Sequence, residues 1–173
     1  MIPRSEELTE AGSAGTFPRN VELIYNDELL ESLSTIILLG AKPGQSYVQA
    51  LPEIRKALFD YDIYMVSFMT DEDVEKLCGT LTEDGINGIK IADKKLMTKL
   101  IAIRDNARTF VNIASAHNSV RAYIDRSLAG ENREECLAEL IGSLTDAGSD
   151  YKLKQVGSAA CKKFLDMICI ENK

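Results

Sequence analysis

Tryptophan is absent from this chain, histidine occurs once, and aromatic residues make up only 6%. The lone His117 and four cysteines without C-x-x-C spacing, Cys78, Cys136, Cys161 and Cys169, argue against a zinc site. The thiols read as reduced and mostly buried, as in a cytoplasmic protein. Long apolar runs are missing; the run near Ile36–Leu39 is far too short to cross a membrane. Residues 1–15 are polar and acidic, without the basic and apolar regions of a signal peptide. Positive charge is scarce as well. The net charge of −7 opposes indiscriminate attraction to nucleic acid. No metal, cofactor or membrane is expected.

With 173 residues, 45% of them hydrophobic, the chain can bury one real core but not two ordinary ones. Residues 1–20 read as a loose arm, with Phe17 and Pro18 where it first touches the body. Residues 21–173 read as a single helical domain.

Helical periodicity dominates. Leu29, Leu30, Leu33, Ile36 and Ile37 share one face of a helix over Asp27–Leu39, broken by Lys42-Pro43-Gly44. A helix over Gln45–Phe59 has Val48, Leu51, Ile54 and Leu58 as its stripe, and Pro52 inside it predicts a late start or a kink. Ile63–Phe68 reads as a short helix or turn. Thr70-Asp71-Glu72-Asp73 is a capping box opening a helix to about Leu81. Leu96, Leu100, Ile103, Ala107, Phe110 and Ala114 mark a long helix from about Lys94 to Ser115. Ser119–Leu128, Asn132–Leu144 and Val156–Ile170 complete an all-α fold, with Ser158 as an N-cap and His117 on the surface or in a loop.

Charge is distributed unevenly. Between Gly85 and Arg108 stand Lys90, Lys94, Lys95, Lys99, Arg104 and Arg108 against only Asp93 and Asp105. The strip lies beside Asp84-Gly85-Ile86-Asn87-Gly88, a hairpin-like turn between two helices. A helix, a glycine-containing hairpin and a helix can hold a phosphate through backbone amides and nearby bases. Gly85, Gly88, Lys94, Lys95 and Lys99 are the candidate DNA-backbone contacts. An ordinary solvated helix face is the competing reading.

Four segments in order resemble the 3-methyladenine DNA glycosylases of type I. Leu39-Gly40-Ala41-Lys42-Pro43-Gly44-Gln45-Ser46-Tyr47 is similar to that family's E-G-x-Q-A-G-L-S-W. Asp71-Glu72-Asp73-Val74-Glu75-Lys76-Leu77 is similar to E-E-D-V-E-R-L. Lys99 to Phe110, with Asn106-Ala107-Arg108, is similar to K-I-x-A-x-x-x-N-A-R-A-Y. Val156-Gly157-Ser158 with Cys161 and Phe164 is similar to V-G-x-T-x-x-Y-x-F.

The resemblance implies a helix-hairpin-helix glycosylase fold with duplex DNA as partner. It implies an enzyme that extrudes an alkylated adenine and hydrolyses its glycosidic bond. A cationic base needs aromatic faces and a carboxylate. Leu39, Ser46, Tyr47 and Phe17 are the expected base pocket. Leu39 stands where the family has glutamate and Tyr47 where it has tryptophan; the early Y-H-D-x-E-W-G motif and the zinc ligands have no counterpart. No catalytic residue is assigned, and Asp105 and Glu28 are the candidate replacement carboxylates. The alternative is a catalytically inactive descendant that binds DNA or a protein.

Overall fold

The computed structural model describes residues 21–170 apart from position 43. The expected arm, including Phe17, lies outside the described residues. Eight α-helices follow in order: α1 Val21–Leu39, α2 Gln45–Ala57, α3 Ile63–Phe68, α4 Asp71–Gly79, α5 Leu96–His117, α6 Val120–Ser127, α7 Arg133–Thr145 and α8 Ser158–Ile170. Among the described residues the only β pairing is one isolated bridge, Ile86 with Ile89.

Helix α1 starts earlier than its apolar stripe suggested and buries Leu29, Leu30, Leu33, Ile36 and Ile37. Gly40, at φ +60, ends it in the left-handed conformation that glycine adopts freely. Helix α2 begins at Gln45 and runs through Pro52, so no late start is needed. Its buried face is Tyr47, Ala50 and Ile54, whereas Val48 is 51% exposed. Ile54 and Leu58 of the expected stripe are buried, but in the first turns Tyr47 and Ala50 take the inward places expected of Val48 and Leu51, the Tyr47 hydroxyl finding a partner inside. Helix α2 ends before Phe59, where Phe59, Asp60 and Tyr61 form one left-handed turn at φ 54, 54 and 61. Asp62 caps α3 by accepting from the Tyr64 and Met65 amides, which settles 63–68 as helix.

The Thr70/Asp73 capping box is present at α4. The helix then widens into a π turn, Thr80–Asp84, closed by the Gly85 amide on the Thr80 carbonyl at 2.8 Å. Ile86 and Ile89 exchange two backbone hydrogen bonds of 2.9 Å around Asn87 and Gly88. Both central residues have positive φ, +52 and +79, as a type I′ hairpin requires.

Helix α5 is the axis. It packs against α1, α3, α4 and α6, and all six of its expected inward residues are buried. The Asn106-Ala107-Arg108 run is structural. Asn106 is fully buried and clamps the loop before α8, accepting from the Lys154 amide at 2.6 Å and donating to its carbonyl at 3.1 Å. Ala107 is core, and Arg108 donates to the Ser67 and Met69 carbonyls around the end of α3.

His117 ends α5 in an aromatic cluster, not on an open surface: its Nε2 lies 3.1 Å from the Tyr151 hydroxyl and its ring packs on Tyr123. Ser158 is the first helical residue of α8, and the Gly157 carbonyl before it accepts from Cys161, so Ser158 is not the N-cap. Of the cysteines only Cys161 is fully buried; Cys78, Cys136 and Cys169 are half-buried, and all four are free.

The two hairpin glycines differ in kind. A Cβ on Gly85 would meet Lys90 Cγ at 2.9 Å and the Ile89 oxygen at 3.0 Å, whereas one on Gly88 meets nothing. Gly85→Ala is expected to cost about 2–3 kcal/mol and Gly88→Ala about 1 kcal/mol. Urea unfolding midpoints measure both, and equal costs would contradict this hairpin geometry.

Candidate functional site

The C-terminus of α1, the first turn of α2, the segment after the hairpin and the first turn of α5 line a half-open cavity of about 200 Å³. Leu39, Lys42, Gly44, Ser46, Tyr47, Ile91, Ala92, Asp93 and Lys99 line it. Leu39, Ser46 and Tyr47, expected together, are therefore brought together, with Leu39 as an apolar wall.

Its polar centre is a knot of three side chains. The Tyr47 hydroxyl donates to Asp93 Oδ2 at 2.6 Å. Lys99 Nζ donates to the same oxygen at 2.9 Å and to the Leu38 carbonyl at 2.8 Å. The ammonium also stands 4.5 Å from the centre of the Tyr47 ring, where the aromatic face attracts a cation. Asp93 Oδ1 accepts the Lys95 amide at 2.8 Å, so Asp93 also organises the entry to α5.

The electrostatics follow. The Tyr47 hydroxyl, then the Lys95 amide and the Lys99 ammonium, hold the Asp93 carboxyl down to about 2. Burial, and then the bond to Asp93, push the Tyr47 phenol up. A group so acidic is a poor proton acceptor near neutrality but a permanent negative charge. The site presents a flat ring beside a carboxylate already paired with an ammonium; it is not built for general-base chemistry.

Asp93 is the pocket carboxylate that sequence reasoning missed. Asp105 accepts from Arg104 and Arg108 instead, and Glu28 is an exposed residue of α1 that does not line the cavity. The available signal was an aspartate two residues before the amide it caps, at the start of a strongly periodic helix. Of the expected phosphate contacts, Lys94 and Lys95 are exposed at the start of α5, in the segment that follows the Gly85–Gly88 hairpin. Lys99 is turned inward, its side chain 19% exposed, because its ammonium satisfies the end of α1. Arg104 is buried on Asp71 and Asp105.

A larger groove, about 540 Å³, runs between α3, α4 and the hairpin. It is mainly apolar, and its acid, Asp73, is committed to capping α4. Among the described residues no cluster of histidine, cysteine or acidic side chains could hold a metal ion, and no helix is long and apolar enough to cross a membrane.

The arrangement is the all-α DNA glycosylase fold. The chain is similar to solved structures of 3-methyladenine DNA glycosylase I, one of them a study of 3-methyladenine recognition by the Staphylococcus aureus protein. That match has a TM-score of 0.60 at 18% identity, over 81% of this chain and 74% of that one. A glutamate-to-glutamine mutant from the same organism, and a tyrosine-to-phenylalanine mutant in complex with 3-methyladenine, match with the same score and identity over 75% of their chains. At this identity the likeness defines the fold. No protein family model matches the chain, and no curated protein matches it in sequence.

Because Asp93 is depressed, its contribution to stability is complete above its ordinary value near 3.8 and is lost as pH falls towards about 2. Asp93→Asn is expected to cost about 2 kcal/mol at pH 7, with the gap to the unaltered protein closing below about pH 4. Urea unfolding at pH 7 and pH 3 checks this, and a pH-independent gap would contradict it.

Proposed function

We propose that this protein is a DNA N-glycosylase of the 3-methyladenine kind with an altered pocket, binding duplex DNA by its hairpin and receiving an extruded base against Tyr47. The observation that carries the reading is an ionised carboxylate and an aromatic ring sharing one cavity, in a glycosylase fold, beside a glycine hairpin with free lysines. Extrusion costs a few kcal/mol, which stacking and hydrogen bonds in the pocket offset. In the reaction the bond between C1′ and the base nitrogen breaks, and the electron pair leaves with the base. Water adds to C1′ and its proton is released, giving an abasic site. Asp93, at position 93 and not 39, serves by holding the Tyr47 ring and the Lys99 ammonium in place around the base.

The hairpin supplies the DNA contact. Arg104, Arg108 and Lys99 already bond to groups of the protein itself. Lys90, Lys94 and Lys95 are exposed and make no ion pair among the described residues. Three phosphate contacts correspond to a log–log salt slope of about −3.

Two measurements test the reading. Duplexes carrying one altered purine each, 3-methyladenine among them, are incubated with the protein and the freed base is quantified. Release from at least one faster than spontaneous loss is expected, falling about tenfold or more in Asp93→Asn. Duplex binding with no release from any would leave a binding module. Replacing Lys94 and Lys95 together by alanine should flatten the salt slope by about 2, and an unchanged slope would remove the hairpin contact.

A further inference from the structure

We infer that Lys99 makes this cavity selective for an electrically neutral base over a cationic alkylated one, its ammonium being a tethered cation that already holds the cation-recognising groups. The inference rests on the reading that the cavity receives an extruded base, and it specifies the class of base.

Three features of the cavity attract positive charge: the face of Tyr47, the carboxylate of Asp93, and the carbonyl end of α1. Lys99 Nζ engages all of them, at 4.5 Å from the ring centre, 2.9 Å from Asp93 Oδ2 and 2.8 Å from the Leu38 oxygen. Oδ2 also accepts the Tyr47 hydroxyl at 2.6 Å, and Oδ1 accepts the Lys95 amide at 2.8 Å. The negative charge is therefore spent on an internal partner. Leu39, lining the same cavity, adds no second carboxylate.

A cationic base entering here would approach Lys99 and Lys42, both in the lining, with no free anion to meet it. A neutral base meets no such repulsion. Its ring can lie against Tyr47 and Leu39, and its ring nitrogens or carbonyl oxygens can accept from the Ser46 hydroxyl and the Lys42 ammonium. The volume suits one such heterocycle: a dry cavity of about 150 Å³ admits benzene, and this one measures about 200 Å³. The ligand class is a neutral purine bearing hydrogen-bond acceptors.

Binding of the full chain is measured by fluorescence anisotropy on three otherwise identical duplexes. One is undamaged, one carries a cationic 7-methylguanine, and one carries a neutral 1,N6-ethenoadenine. The protein is expected to favour the neutral lesion, and Lys99→Met should shift the neutral-to-cationic affinity ratio about tenfold or more towards the cation. Lys99→Gln, which also removes the charge but keeps a donor for the Leu38 carbonyl, should shift the ratio the same way; thermal melting followed by circular dichroism identifies a variant that has lost its fold. A preference for the cation in the unaltered protein, or a ratio unchanged in the folded variants, overturns the charge filter while lesion binding stands. Equal affinity of every protein for damaged and undamaged duplexes overturns the base-pocket reading and this inference with it.

Discussion

One half-buried ammonium holds the working end of this molecule together. A charge withdrawn from water has to be matched by partners at short range. Lys99 finds a carboxylate, a helix-end carbonyl and an aromatic face, each from a different part of the chain. Leu38 is the end of α1, Tyr47 the start of α2, Asp93 the segment after the hairpin, and Lys99 the first turn of α5. The late carbonyls of α1 lack helical partners, so a cation there also complements the helix dipole. Tyr47 faces inward because of this arrangement, which is what places its ring in a cavity.

The same arrangement divides the basic strip between two uses. Three of the bases are engaged by the protein itself: Lys99 in the knot, Arg104 on Asp71 and Asp105, and Arg108, although exposed, on carbonyls at the end of α3. Lys90, Lys94 and Lys95 stay outside, around the hairpin. On the proposed reading, these exposed lysines of an acidic chain suit a short stretch of phosphate backbone and not long-range capture.

The fold was legible where local rules and packing agree. The α5 stripe, the capping box at Thr70 and the Asn87-Gly88 hairpin all follow from spacing and turn chemistry. Leu39, Ser46 and Tyr47 meet in one cavity because they flank a single short connection. What spacing could not supply was the partner from a distance. Asp93 lies 46 positions from Tyr47, and its side chain reads locally as a turn former. Lys99 looked like one more surface base because nothing in its own helix reveals the carbonyl of Leu38. The first turns of α2 face inward through Tyr47 and not Val48 for the same reason, a hydrogen bond to Asp93, while Ile54 and Leu58 are buried as their spacing predicts.

The site depends on Asp93 being an ionised, fully engaged anion. Carbon-13 NMR of its carboxyl carbon during an acid titration measures this directly. A carboxyl held at about 2 remains ionised at pH 3, with its chemical shift almost unchanged from neutral pH. A midpoint near the ordinary value of 3.8 would show that Tyr47 and Lys99 do not grip it, and the knot would not exist as described.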